Sequence, residues 1–118
     1  MSSSTHQWDI VAVRINPDGD IDSHPAVVIS ADETCGYQRQ LRVNVLFGSK
    51  KSPASAKRPY AVLLNSADGL GLEFMTEIDC GFVHVVSKEK ILRTAGRVTP
   101  VRQREIMRKV FECWRFRL

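Results

Sequence analysis

The hydrophobic residues change period along the chain. From Trp8 the run Trp-Asp-Ile-Val-Ala-Val-Arg-Ile is rich in β-branched residues and predicts a strand. Asn16-Pro17-Asp18-Gly19-Asp20 is a turn signal, because proline fixes φ and glycine permits positive φ. Ala26 to Ser30 is a short continuous apolar run, the pattern of a strand buried on both faces. A polar connection, Ser30 to Gln40, follows. Leu41, Val43, Val45 and Phe47 then recur every second residue and predict a strand with one apolar face. Gly48 to Pro59 is small, basic and rich in breakers, so it reads as a mobile surface loop. Further strands are predicted at Tyr60–Leu64, Leu72–Ile78 and Gly81–Val86, with a turn over Asn65–Gly71.

After Ser87 the signals become helical. Ser87 as N-cap and Gly96 as stop predict a short helix, Lys88 to Thr94. Thr99-Pro100 starts another, with proline at the first helical position. In it Ile106, Met107, Val110, Phe111 and Trp114 form one stripe of a 3.6-residue helix, the expected core face. Strands followed by helices predict an α+β domain. Its β part is expected to be a small, strongly curved antiparallel barrel covered by C-terminal helices.

The chain has 118 residues, 43% apolar and 25% charged, enough for a single domain over 1–118, with residues 1–6 as a flexible tail. No apolar run is long enough to span a membrane, and Met1 to His6 carries no basic patch or apolar core of a secretory signal. Cys35, Cys80 and Cys113 are odd in number and match no zinc spacing, which points to reduced thiols and a cytoplasmic location. Charge is distributed unevenly. Residues 1–87 hold seven Lys/Arg and ten Asp/Glu, whereas residues 88–118 hold ten and three. A segment that basic suits phosphates or an acidic partner, or is a solvated helix face.

Several motifs, in order, resemble one family. Trp8-Asp-Ile-Val-Ala-Val13 followed by His24-Pro-Ala-Val-Val-Ile-Ser30 is similar to the opening of the MazF/PemK toxins, which usually read Gly-Asp-Ile-Val and then Arg-Pro-Ala-Val-Val-Ile-Ser. Gly71-Leu72 begins a segment resembling the family's last barrel strands. Cys80-Gly-Phe-Val-His-Val-Val-Ser-Lys88 stands where many members have Cys-Asp-Gln-Ile-Arg-Thr-Val-Asp-Lys. Ile91 through Gly96-Arg-Val-Thr-Pro100 looks like the Gly-Arg-Leu-Ser-Pro before the family's final helix. The resemblance implies an SH3-like barrel of MazF/CcdB type, usually a homodimer, and a toxin of a toxin–antitoxin pair neutralised by an acidic, partly disordered antitoxin. It also implies an endoribonuclease that cleaves single-stranded RNA without a metal or other cofactor. CcdB shares the fold without nuclease activity, so the alternative is an inactive module that binds a protein or nucleic acid.

Metal-free RNA cleavage with the ribose 2′-oxygen as nucleophile needs a base, an acid and donors for the developing phosphorane charge. The resemblance puts His24 where the family has a catalytic arginine. It leaves Ser49 of Gly48-Ser49 from a hydroxyl pair, and puts His84 where the family often has arginine. Asp79-Cys80-Gly81 replaces an Arg-Cys-Asp triplet. His24, Ser49 and His84 are therefore the candidate catalytic residues, with Lys50, Lys51, Lys57 and Arg58 as candidate RNA-backbone contacts. The plainer readings are a loop-junction histidine at 24, a solvent-facing strand residue at 84 and an ordinary basic loop. Cys80 reads as a small buried apolar residue.

Overall fold

In a computed structural model, residues 5–15, 23–50, 58–65 and 75–114 are described. β-Branched runs form seven strands: β1 (Asp9–Arg14), β2 (Ser23–Val28), β3 (Arg42–Lys50), β4 (Ala61–Leu64), β5 (Thr76–Asp79), β6 (His84–Ser87) and β7 (Ile91–Arg97). Helix α1 (Asp32–Gly36) follows β2, a 3-10 turn spans Lys88–Lys90, and helix α2 (Pro100–Cys113) closes the described chain. The turn expected at Asn16–Asp20, the segment from Gly71-Leu72, and Lys51 and Lys57 lie outside the described residues.

All strand pairs are antiparallel, in the order β4-β5-β3-β2-β1-β7, with β6 also on β3. This corrects the expected strongly curved SH3-like barrel. The sheet is open: the end strands β4 and β7 do not pair among the described residues, and the sheet is neither closed nor strongly curled. Helix α2 packs against β4 instead, so a helix rather than a strand ladder seals that end of the core.

Alternation along the strands gives two apolar layers. On one face Ile10, Val27, Leu46, Val62, Leu64 and Ile78 bury against Ile106, with Val110 packed alongside. On the other face Val11, Val13, Ala26, Val28, Val43, Val45 and Val86 gather around Cys35 of α1. The continuous apolar run of β2 thus serves both layers, as its sequence predicts.

Three other expectations change. The Lys88–Thr94 segment is a 3-10 turn and then strand β7, because β1 offers it a partner from Asp9↔Arg97 to Val13↔Ile91 and tertiary pairing outweighs local helix signals. The Ser30–Gln40 connection contains α1. The stripe expected on α2 divides: Ile106 and Val110 face the core, whereas Met107, Phe111 and Trp114 are exposed, since the helix rests on the sheet along a narrow line. Thr99 and Pro100 do start α2, as expected.

Strand β3 also runs further than its composition suggests. Gly48, Ser49 and Lys50 are strand residues paired to Ile78, Glu77 and Thr76, not the start of a loop. A Cβ at Gly48 would meet Ile78 Cδ1 and Thr76 Cγ2 at 2.7 Å each, so only glycine lets β5 approach. Gly48→Ala is expected to cost about 1–3 kcal/mol by overpacking. At about 4 °C per kcal/mol this is read as a lower thermal midpoint.

Cys80 is fully buried, and its thiol is pushed up to about 12 by burial first and by neighbouring Cys113 and acidic groups second. A thiol held protonated by the fold stabilises it below the ordinary value of 9.0, and this contribution is lost as pH rises toward about 12. The urea midpoint is therefore expected to fall more steeply between pH 9 and 11 for the native chain than for Cys80→Ala. At pH 8, iodoacetamide followed by mass spectrometry should leave Cys80 unmodified until the protein is unfolded.

Candidate functional site

Strand parity decides which side chains can meet. Because Ala26, Val45 and Val86 point into the α1-side layer, residues an even number of positions away on the same strands share that face. His24, Phe47, Ser49 and His84 all satisfy this. The three candidate catalytic residues therefore lie on one face of the sheet.

Their spacing along that face is unequal. Ala26 pairs with Phe47, and His24 and Ser49 each stand two residues beyond that pair, at matching positions past its end. His24 is exposed and pairs with Val13 on its other edge. His84 pairs with Val45, four residues before Ser49, which at about 3.3 Å per residue sets the two rows roughly 13 Å apart. The His84 ring instead meets Phe47 edge-on, with centroids 5.0 Å apart. By register His24 and Ser49 stand at corresponding positions past the last β2–β3 pair, whereas His84 lies further along β3.

Ser49 is the centre of a polar cluster. It lies across from Glu77, which is only 5% exposed. Cross-strand neighbours on one face are close enough for a single side chain to bridge. Arg58 does so. Its backbone N–H donates to Glu77 Oε2 (3.1 Å), its Nε to Glu77 Oε1 (2.8 Å) and its Nη2 to Ser49 Oγ (2.8 Å). Asp79 Oδ2 stands 3.8 Å from Nη1. A local turn delivers the arginine: Tyr60 takes φ 59°, and the Ala61 N–H donates to the Arg58 carbonyl.

Such an arrangement restricts chemistry in a definite way. Glu77, nearly out of water, needs its arginine, because an unpaired buried carboxylate is costly. The Arg58 side chain is still about half exposed, so part of it remains open to a ligand. Ser49 Oγ accepts from Arg58, which leaves its hydroxyl hydrogen to donate elsewhere. Together they form a cation held in the turn before β4 and a polarised donor on β3. Asp79 tempers the charge and is itself partly occupied, its Oδ1 accepting from the Gly81 N–H at 2.9 Å.

Of the candidate RNA contacts, Arg58 is thus a member of the Ser49 cluster, and Lys50 is an exposed residue at the end of β3. Glu77 was not anticipated: Thr-Glu-Ile-Asp reads as an ordinary alternating strand, and only the register with Ser49 reveals its role. A second feature, also absent from the sequence reading, is a shallow cleft of ≈ 380 Å³ beside Phe47 that contains Arg14, Arg42 and Lys90. His24 does not line it, though its pair partner Val13 does. Among the described residues no group of three or more His, Cys, Asp or Glu is placed to hold a metal ion, and no helix is long and apolar enough to cross a membrane.

Comparison with known proteins fits this architecture. Against solved structures the chain is similar to an endoribonuclease in complex with its cognate antitoxin from a mycobacterial species (13% identity, TM-score 0.70, covering 93% of this chain and 92% of that one). It is similar as well to the Mycobacterium tuberculosis toxin MazF-mt6 (9%, 0.71, 93% and 99%) and to a MazE-MazF structure from Deinococcus radiodurans (13%, 0.73, 93% and 95%). At these identities the likeness is one of fold. No curated protein matches by sequence. The family model described as PemK-like, MazF-like toxin of type II toxin-antitoxin system matches residues 6–113. With nearly the whole chain matched and the same fold in several solved toxins, this protein belongs to the PemK/MazF family of type II toxin–antitoxin toxins.

Proposed function

We propose that the chain is an endoribonuclease that cleaves single-stranded RNA without a metal, acting as the toxin of a pair and held in check by an acidic antitoxin. The observation that carries this reading is the Arg58–Ser49 hydrogen bond on the buried Glu77. It supplies a permanent cation and a hydroxyl donor at the end of β3, near the matching position of His24 on β2.

In this reading the scissile phosphate lies over Ser49 and Arg58. Their free N–H and O–H donors meet its non-bridging oxygens, where charge grows as the 2′-oxygen attacks. His24 is the exposed imidazole that transfers a proton, either from the 2′-hydroxyl or to the leaving 5′-oxygen. The P–O bond to the 2′-oxygen forms as the P–O bond to the 5′-oxygen breaks, leaving a 2′,3′-cyclic phosphate and a 5′-hydroxyl. Glu77 touches no substrate; it positions Arg58. His84, set apart with Phe47, contacts RNA away from the breaking bond. A homodimer, usual for the family, is part of this proposal, and the exposed Met107, Phe111 and Trp114 of α2 are apolar surface available to it.

A cleavage assay on long mixed-sequence RNA tests the reading. Loss of a single charge-stabilising donor typically costs about 10²–10³-fold in rate, and this is expected for Ser49→Ala and for Arg58→Ala. His24→Ala is expected to lose about 10²–10⁴-fold. Intact RNA with the native protein, across several pH values and in the presence of EDTA, would refute the proposal. Full activity of all three variants would refute the assignment of the site.

Arg58→Ala also strands the Glu77 carboxylate. It is expected to lower stability by about 1–3 kcal/mol, and Arg58→Ala combined with Glu77→Leu should recover much of that loss without recovering cleavage. Urea unfolding read beside the RNA assay separates the two effects.

A further inference from the structure

We propose that the cleft at Arg14, Arg42 and Lys90 is a subsite for a nucleotide of single-stranded RNA flanking the point of cleavage; this inference rests on the ribonuclease reading above. The three cations arrive from separate elements: the end of β1, the start of β3 and the 3-10 turn. All three side chains are exposed, no acidic residue lines the cleft, and none of the three has a carboxylate partner among the described residues. By contrast Arg58 binds Glu77, Arg97 faces Asp9, and Lys109 faces Glu112. Three converging cations without counter-charge constitute an anion-binding surface.

The cleft is not merely basic. Phe47 forms part of its wall, and the adjoining Ile15 and Val85 are 46% and 60% exposed. A nucleotide matches this combination, since its phosphate meets cations and its base lies on an aromatic or apolar surface. The volume of ≈ 380 Å³ is in the range of small-ligand sites.

Position selects RNA over other anionic partners. Phe47 precedes Ser49 by two residues on the same face of β3, so the cleft adjoins the proposed cleavage point. The edge-on contact of His84 with Phe47 continues the same surface. A strand of RNA leaving Ser49 over Phe47 enters the cleft that Arg42, of the opposite parity on β3, also lines. A second copy of the chain, itself of net charge +4, is disfavoured against a cleft of three cations with no acidic lining residue.

The test uses a twelve-nucleotide, mixed-sequence RNA with every ribose 2′-O-methylated, which cannot be cleaved through the 2′-oxygen. Binding is followed by fluorescence anisotropy over a range of salt. Arg42→Ala/Lys90→Ala is expected to bind at least about tenfold more weakly. Removal of two phosphate contacts should flatten the log–log salt slope by about 1.4. Phe47→Leu is expected to cost about tenfold with an unchanged salt slope, as lost stacking would. Thermal melting of each variant confirms that the fold is intact, and Arg42→Lys, which retains the charge, should keep the native slope.

Native-like affinity and slope in the double variant would overturn the inference, as would no RNA binding by the native protein. Failure of RNA to compete while a poly-glutamate peptide binds in an Arg42- and Lys90-dependent manner would overturn it in favour of an acidic protein segment. The ribonuclease reading fails separately: RNA bound through the cleft but never cut would reject that reading and leave the subsite standing.

Discussion

The structure depends on how β3 is shared. One of its edges carries β2; the other carries β6 beside residues 42–45 and then β5 beside residues 48–50. A strand that changes partner partway needs a point where the new neighbour can come close. Gly48 is that point, because Ile78 and Thr76 occupy the space that any Cβ would take. The consequence reaches the site directly. With Gly48 in contact with β5, the next residue, Ser49, falls opposite Glu77, and Glu77 fixes Arg58. A packing constraint in the core thereby sets the chemistry at the surface.

Much of the scaffold was legible because its signals are local. β1, β2, β4 and the start of α2 fall within about three residues of their expected places. What was not legible is non-local. Nothing in Lys88–Thr94 announces that β1 has a free edge for it, so its helical signals mislead. The open sheet is likewise a property of the two strands at its ends, and neither strand's own sequence states that β4 packs on α2 rather than pairing with β7. Trp8 is an instructive case. It has φ 74°, a backbone region suited to glycine, at the position where the resembling family carries glycine. The indole packs on the core, and backbone bonds to Val28 and from Val98 hold the residue in place. Side-chain burial there accompanies a conformation that the residue type would not predict.

The candidate site shows the same division. His24, Ser49 and His84 could be chosen from motif positions, and period two places them on one face. Their separation could not be chosen, since it depends on which residue of β3 stands opposite which residue of β6. Arg58 could be named as a basic loop residue, but its partners are distant in sequence, Ser49 nine residues before it and Glu77 nineteen after. Sequence shows charges; register shows which of them are held.

That distinction bears on the departure at position 24. A histidine cannot do what a forked, permanently charged arginine does beside a phosphate, but the two duties of such a residue, charge and proton transfer, need not reside in one side chain. In the proposed reading Arg58, held on Glu77 in the turn before β4, carries the charge, and the exposed imidazole is then free for the proton. The carboxylates that hold Arg58 also weaken its pull on a polyanion, because Glu77 and Asp79 together outweigh a single positive charge. In the proposed reading affinity must then come from cations that are not neutralised, and Arg14, Arg42 and Lys90 bring three of these into one cleft. In the proposed reading positioning and attraction are therefore separated in space: a neutralised, rigid arginine at the breaking bond, and unpaired cations in the adjoining cleft to keep the strand in place.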